Sequence, residues 1–175
     1  MEIVRVVTGT LDENCYVLKI DDKCLLIDPG ADADKIKEAM GEAKLLGILV
    51  THSHFDHVGA LREFLKKNRK LMVYKKSNLQ DLVEKEIGPF KFKCYYTPGH
   101  SSDSVSFYFR EENSLFVGDF IFKETIGRTD LPTGNSIDMQ KSLEKLEEFA
   151  DTTKIYSGHG ELTTLEEERK NNPYL

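Results

Sequence analysis

Nowhere in the sequence does an apolar run approach the roughly 18 to 20 residues needed to span a bilayer. The N-terminus, Met1-Glu2-Ile3-Val4-Arg5-Val6-Val7-Thr8, is strand-like and carries a glutamate where a signal peptide has only positive charge, so no leader is expected. Cysteine is scarce: Cys15, Cys24 and Cys94 form no CxxC pair and leave one thiol over in any disulfide scheme. A reducing cytoplasm is the expected compartment, with each cysteine a small buried hydrophobe in a strand-like run. Positive charge is short as well. Lys plus Arg is 24 against 30 Asp plus Glu, a formal net charge of −6, which excludes a global basic field for nucleic acid. Lys66, Lys67, Lys70, Lys75 and Lys76 read as a solvated face rather than a local nucleic-acid patch. Repeats and low-complexity linkers are absent too. Glycine and proline fall evenly, at Pro29-Gly30, Gly88-Pro89, Pro98-Gly99 and Pro132 to Gly134, which suggests turns within one domain over residues 1–175.

What is present is a chain of 175 residues, 39% hydrophobic and 31% charged. That length can bury about 70% of the unfolded surface without help from disulfides. Residues 2–8, 14–20 and 23–28 are rich in Ile, Val and Leu and read as strands, with a tight turn at Asp21-Asp22 and an end at Asp28-Pro29-Gly30. A helix capped by Asp32 carries Ile36, Ala39 and Met40 on one face. A strand from Leu45 to Thr51 leads to His52, and Leu61, Phe64 and Leu65 mark a helix after His57. Residues 71–74 read as a strand and 77–86 as a short helix. Strands are expected at 90–96, 104–110, 114–118 and 154–156. Helices are expected from Ser136, with a stripe of Met139, Leu143, Leu146 and Phe149 or Ala150, and over about 164–171. Two strand clusters, each followed by helices, suggest two packed sheets with helices outside.

Histidine is rare, and three of the five lie in one short run. His52-Ser53-His54-Phe55-Asp56-His57 follows the pattern HxHxDH, which shuffling of this composition would produce in roughly 3 chains in 10,000. Packing has no reason to crowd imidazoles so closely. If residues 52–54 leave the strand extended, His52 and His54 project to one side. A turn into helix then aims Asp56 and His57 at a neighbouring point. His100, Asp119 and His159 each follow a strand in the same way, where a site on an α/β scaffold is expected. Imidazole and carboxylate without thiolate suit Zn²⁺, Fe²⁺ or Mn²⁺. A closed structural zinc needs four ligands, usually including Cys. Five His and two Asp exceed that and match two ions sharing a bridging group, which argues for catalysis.

These residues, in this order, resemble the metallo-β-lactamase superfamily, and most closely its glyoxalase II-like (hydroxyacylglutathione hydrolase-like) branch. The likeness extends through Asn14-Cys15-Tyr16, Leu26-Ile27-Asp28-Pro29-Gly30, Thr97-Pro98-Gly99-His100, Gly118-Asp119, Gly127-Arg128-Thr129-Asp130-Leu131-Pro132, Gly158-His159-Gly160 and Asn172-Pro173-Tyr174-Leu175. The resemblance implies a four-layer αββα sandwich, two mixed β-sheets flanked by helices, with a binuclear site at one edge. His52, His54 and His100 would bind one metal, Asp56, His57 and His159 the second, and Asp119 would bridge them. Arg128 stands where the family places a cation for the substrate's carboxylate, a contact that guanidinium suits; a salt bridge to Asp130 is the competing use. Asp28 is expected to hold the His52–His57 loop through hydrogen bonds.

The implied chemistry is hydrolysis of a thioester of the S-lactoylglutathione type. Two divalent ions, Zn first and Fe or Mn in its place, bring a shared water toward neutrality, and the resulting hydroxide attacks the carbonyl. Asp56 is a ligand that can also orient that hydroxide. Two departures bear on the substrate. The chain stops at Asn172-Pro173-Tyr174-Leu175, where full glyoxalase II enzymes carry further helical sequence that helps hold glutathione. Ser102-Asp103 also replaces a small pair, often with glycine. A weak grip on glutathione is therefore expected, in a monomer or small homo-oligomer whose partner is a small-molecule thioester rather than a membrane or nucleic acid. A persulfide dioxygenase resembles this pattern but uses one iron held by two His and one Asp. A phosphodiesterase or nuclease of the superfamily is a third enzymatic possibility, and a metal-binding module without catalysis is the non-enzymatic one. A flavodiiron-type reductase, with a carboxylate where His54 stands, is excluded.

Overall fold

The computed structural model describes residues 1–175, Lys67 through its backbone alone. In chain order the first half comprises β1 (Glu2–Thr8), β2 (Glu13–Ile20), β3 (Lys23–Ile27), α1 (Ala33–Met40), β4 (Lys44–Leu49), α2 (Phe55–Val58), α3 (Leu61–Lys67) and β5 (Met72–Tyr74). The second half comprises β6 (Glu84–Ile87), β7 (Phe90–Tyr96), β8 (Val105–Phe109), β9 (Ser114–Gly118), β10 (Ile121–Phe122), β11 (Thr125–Ile126), α4 (Ser136–Glu144), β12 (Lys154–Ser157), β13 (Thr163–Thr164) and α5 (Leu165–Asn171). One sheet has the order β1-β2-β3-β4-β5 and the other β13-β12-β9-β8-β7-β6, with β10 and β11 paired separately. Both are mixed: β3/β4, β4/β5 and β9/β12 pair in parallel and the other strand pairs are antiparallel.

The strand period of two decides which side chain faces which layer. Tyr16, Leu18, Leu25, Ile27 and Leu49 of the first sheet meet Phe92, Val105, Phe107, Phe116 and Tyr156 of the second in the central core. The alternate residues Cys15, Val17, Cys24, Leu26 and Ile48 point the other way and are covered by Ile36 of α1 and Phe64 of α3. On the far side of the second sheet, Leu115, Val117 and Ile155 pack against Met139 and Leu143 of α4 and Leu165 of α5. The result is the αββα order. Strands buried on both faces read as unbroken apolar runs, which is why β2 and β3 show little alternation. All three cysteines are buried and free. Among the described residues, no helix is long and apolar enough to cross a membrane.

Three local expectations are corrected. Residues 77–86 do not form a helix: a 3₁₀ turn at Lys76–Asn78 is followed by the edge strand β6, whose only buried residue is Ile87. Pairing with β7 overrides the helical propensity of Glu84-Lys85-Glu86. The cap of α4 is Asn135 rather than Ser136, its side chain accepting from the Ile137 and Asp138 N–H groups. Asp32 stands at the N-cap of α1, but its carboxylate accepts from Gly9 N–H at 3.0 Å and makes no cap bond.

Candidate metal centre

The histidine-rich residues converge because each follows the end of a strand on one edge of the sandwich. The chain leaves β4 at Leu49 and reaches His52 and His54 before α2 presents Asp56 and His57. Asp119 directly follows β9, His159 lies two residues beyond β12, and His100 lies in the turn after β7. The His159 loop is tied to the opposite sheet. Asn14 N–H donates to the Gly158 carbonyl at 2.7 Å, the Asn14 amide to the Ser157 and Gly160 carbonyls, and Tyr16 Oη to the Ser157 carbonyl at 2.6 Å. Gly158 is required there: a Cβ would lie 2.4 Å from Asp119 Oδ1 and 2.6 Å from His57 Cε1.

Two ligand groups result, His52 with His54 and His100, and Asp56 with His57 and His159. Within each, one donor atom per residue lies within 4.8 Å of the others. His54 Nδ1 and His100 Nε2 are 2.9 Å apart, and His159 Nε2 is 3.2 Å from Asp56 Oδ2. Asp119 sits between the groups. Its Oδ1 is 3.2 Å from His57 Nε2, while Oδ2 is 3.5 Å from His100 Nε2 and 3.6 Å from His159 Nε2.

The outward ring nitrogens are already engaged, which decides what the inward ones can do. The Arg128 carbonyl lies 2.8 Å from His100 Nδ1, and the Leu11 carbonyl 3.0 Å from His159 Nδ1. Carbonyls only accept, so both rings carry their proton on Nδ1 and present a bare lone pair on Nε2. Asp28 does the same for His57, accepting from its Nδ1 at 3.0 Å. Thr51 Oγ1 donates to Asp28 Oδ2 at 2.5 Å and so accepts from His52 Nδ1 at 3.1 Å. Asp28 also accepts from Thr51 N–H at 2.7 Å. A third grouping, Asp28 with His52 and His57, is close enough to hold an ion. Asp28 is already taken up by three hydrogen bonds, so it serves as the support of the loop.

What remains is a set of buried polar atoms with no hydrogen-bond partner: His52 Nε2, His57 Nε2 and Asp119 Oδ1 at the ring, and Glu13 Oε1 4.0 Å from His57 Nδ1. Leaving buried polar atoms unpaired is unfavourable by about 1–3 kcal/mol each. Divalent cations held by the two ligand groups would relieve the three at the ring, and the donor chemistry fits them. Burial, reinforced by the charge of His57, pushes the His52 pKa down to about 2 and keeps that ring neutral, the form that binds metal; at His57 burial is outweighed by the contacts with Asp119 and Asp28, which raise its pKa, so a cation there must displace a proton. Burial works against ionisation of Asp119, but adjacent His57 outweighs it and holds the carboxyl well below the usual range.

One neighbour was not visible in the sequence. Glu13, at the start of β2, is buried; its Oε2 accepts from Thr8 Oγ1 at 2.7 Å and its Oε1 lies 4.0 Å from His57 Nδ1. Burial pushes its pKa up to about 9, with His57 pulling the other way. A charged residue at the start of a fully buried strand, beside Asn14, is the signal that could have found it. Arg128 touches the site through its backbone; its guanidinium is exposed and forms a two-pronged pair with Asp130, both contacts 2.7 Å.

A sandwich of this order with this ligand ring defines a metallo-hydrolase. A family model for the metallo-beta-lactamase superfamily matches residues 8–76 and 74–159, and the chain belongs to that superfamily, whose members bind divalent metals. It is 35% identical to the probable metallo-hydrolase YqgX of Bacillus subtilis, over 98% of this chain and 96% of that one. It is 28% identical to hydroxyacylglutathione hydrolase GloC of Haemophilus influenzae, over 100% and 98%. Among solved structures it superposes on BLEG-1 B3 metallo-beta-lactamase with a TM-score of 0.94, 31% identity and 99% coverage of each chain. TTHA1623 in a di-iron-bound form gives a TM-score of 0.87 at 30% identity, covering 98% of this chain and 100% of that one.

Proposed function

We propose that the chain is a binuclear hydrolase of thioesters of the S-lactoylglutathione type. His52, His54 and His100 would hold one divalent ion, Asp56, His57 and His159 the other, and Asp119 would join them. The observation that carries this reading is Asp119, which lies between the two ligand groups, its Oδ1 3.2 Å from His57 Nε2 and its Oδ2 3.5 Å from His100 Nε2 and 3.6 Å from His159 Nε2. Zn²⁺ is the first choice for mixed imidazole and carboxylate donors, with Fe²⁺ or Mn²⁺ next. When bound, such a pair supplies a water acidified toward neutrality and a Lewis acid for a carbonyl oxygen.

The chain's own residues hold and orient. Thr51, Asp28 and the carbonyls of Leu11 and Arg128 fix the rings so that Nε2 of four histidines points inward. Asp56 Oδ2, facing His57 and His159, can accept a hydrogen bond from the attacking water and orient it. Arg128 can exchange its exposed Asp130 partner for a substrate carboxylate. No protein nucleophile competes, because every histidine belongs to the metal ring and every cysteine is buried. A thiolate leaves without a general acid, which favours a thioester among carbonyl substrates. The likeness to a hydroxyacylglutathione hydrolase supports the substrate class, and the likeness to a di-iron-bound structure supports the metal count. Buried free thiols support residence in a reducing cytoplasm.

The test is a substrate panel on metal-reconstituted protein: S-lactoylglutathione, a small acyl thioester, a persulfide, a phosphodiester and a β-lactam. Thioester turnover that disappears with a chelator and returns with metal is expected. Protein carrying two ions that turns over none of the thioesters sinks the reading, and persulfide turnover with one iron selects a dioxygenase instead.

A further inference from the structure

Beside the metal ring, and sharing Asp56 with it, lies a cavity of about 500 Å³. It opens between the β1–β2 loop, the start of α1 and the α2–α3 segment, and its size is that of a small-molecule site. Its walls are largely carbon, from Leu11, Ala31, Ala33, Phe55, Gly59 and Ala60. Phe55 is 75% exposed and Leu11 51%, large apolar side chains left in water at the mouth of a site. Most of the polar lining is engaged elsewhere. The Thr8 hydroxyl donates to Glu13 and accepts from Ala31 N–H, Asp32 accepts from Gly9 N–H and faces Lys35, and Glu63 pairs with Lys66. Among the described residues, no lysine or arginine lines the cavity.

This charge distribution orients a substrate. A glutathione arm carries carboxylates, and the described lining offers them no cation: its charged residues are Asp32, Asp56 and Glu63, the first and last already facing Lys35 and Lys66. The cation available to them, Arg128, belongs to the loop whose carbonyl holds His100, a member of the other ligand group. Resting on the thioester reading above, we propose that the cavity seats the acyl arm of the substrate, and that this arm is an apolar chain of several carbons rather than a short hydroxylated one.

S-Methylglutathione and S-hexylglutathione, thioethers with no bond to hydrolyse, are titrated calorimetrically into metal-loaded protein. Each buried methylene is worth about a factor of four in affinity, so burying three of the added five gives roughly 60-fold. The hexyl compound should bind at least about 30-fold tighter, and Ala31→Leu should cut that ratio below about fivefold by filling the space. Leu11→Ala, at an exposed position, serves as a second variant and should lower the ratio about threefold or more. In turnover, a hexanoyl thioester should exceed the lactoyl one in kcat/KM by a similar ratio. Equal affinities for the two thioethers overturn the inference even if S-lactoylglutathione is hydrolysed; if they accompany a dimer that Phe55→Asp splits, a second copy covers the face instead. A large hexyl-to-methyl ratio in protein that hydrolyses no thioester leaves the cavity assignment standing and removes the thioester reading.

Discussion

Replacing Asp119 by Asn keeps the shape of the side chain and removes its charge from between the two ligand groups. Among the described residues, Asp119 is the only one with contacts of 3.2–3.6 Å to histidines of both, His57 and His159 on one side and His100 on the other. At about 4 Å and an effective dielectric near 20, a unit negative charge is worth about 4 kcal/mol to a neighbouring cation. That corresponds to roughly three decades of affinity. The variant should therefore bind its second ion about 1000-fold more weakly and lose at least about 100-fold in kcat/KM at limiting metal. Metal content after dialysis and steady-state kinetics are read together, with circular dichroism confirming an unchanged fold. Arg128→Ala is the matched control. Its side chain is 62% exposed and its role toward His100 runs through the backbone, so metal content should not change. Asp119→Asn protein that keeps two ions and normal kcat refutes the bridging argument outright.

Arg128→Ala should raise KM for a carboxylate-bearing thioester by less than about tenfold, since an exposed ionic contact is worth about 1 kcal/mol or less, and should leave kcat unchanged; a fall in kcat instead would place Arg128 in the chemistry. Asp28→Asn puts an NH2 in place of one accepting oxygen: with the amide oxygen kept on Thr51 N–H, His57 Nδ1 and the Thr51 hydroxyl lose their acceptor. Chelator competition should show metal affinity down by about 10- to 100-fold, and unchanged affinity would mean that the loop holds itself. Gly30→Ala would put a Cβ 1.8 Å from the Asp56 carbonyl oxygen, backbone that cannot turn aside. A loss of about 2 kcal/mol is expected, seen as a Tm lower by about 4–8 °C; an unshifted Tm contradicts the packing. Stripping metal held at about 100 times its Kd removes about 2.7 kcal/mol per site, so a chelator should lower Tm by at least about 5 °C, and an indifferent Tm would argue against tight sites.

The layers and the ligand ring were readable because their signals are dense. Strands such as β2 and β3 are buried on both faces, so Cys15 to Leu18 and Cys24 to Ile27 are unbroken apolar runs, and three histidines in six positions have no packing explanation. The edge strand β6 was not readable. It buries only Ile87, and its charged residues look helical until β7 supplies partners for the backbone. The two-residue strands β10, β11 and β13 are too short to carry a period at all. Asn135 and Ser136 are both good caps, and only the backbone at Asn135, extended rather than helical, separates them. Glu13 is marked in the sequence only by a charge at the head of a buried strand; its approach to His57 is a tertiary contact that no local pattern encodes.

The central claim is a pair of ions in one ring of seven ligands. Elemental analysis of wild-type protein, reconstituted with Zn²⁺ or Fe²⁺ in excess and then freed of unbound metal, tests it most directly. A plateau at two ions per chain is the predicted result. A plateau at one, unchanged by added metal, contradicts the account.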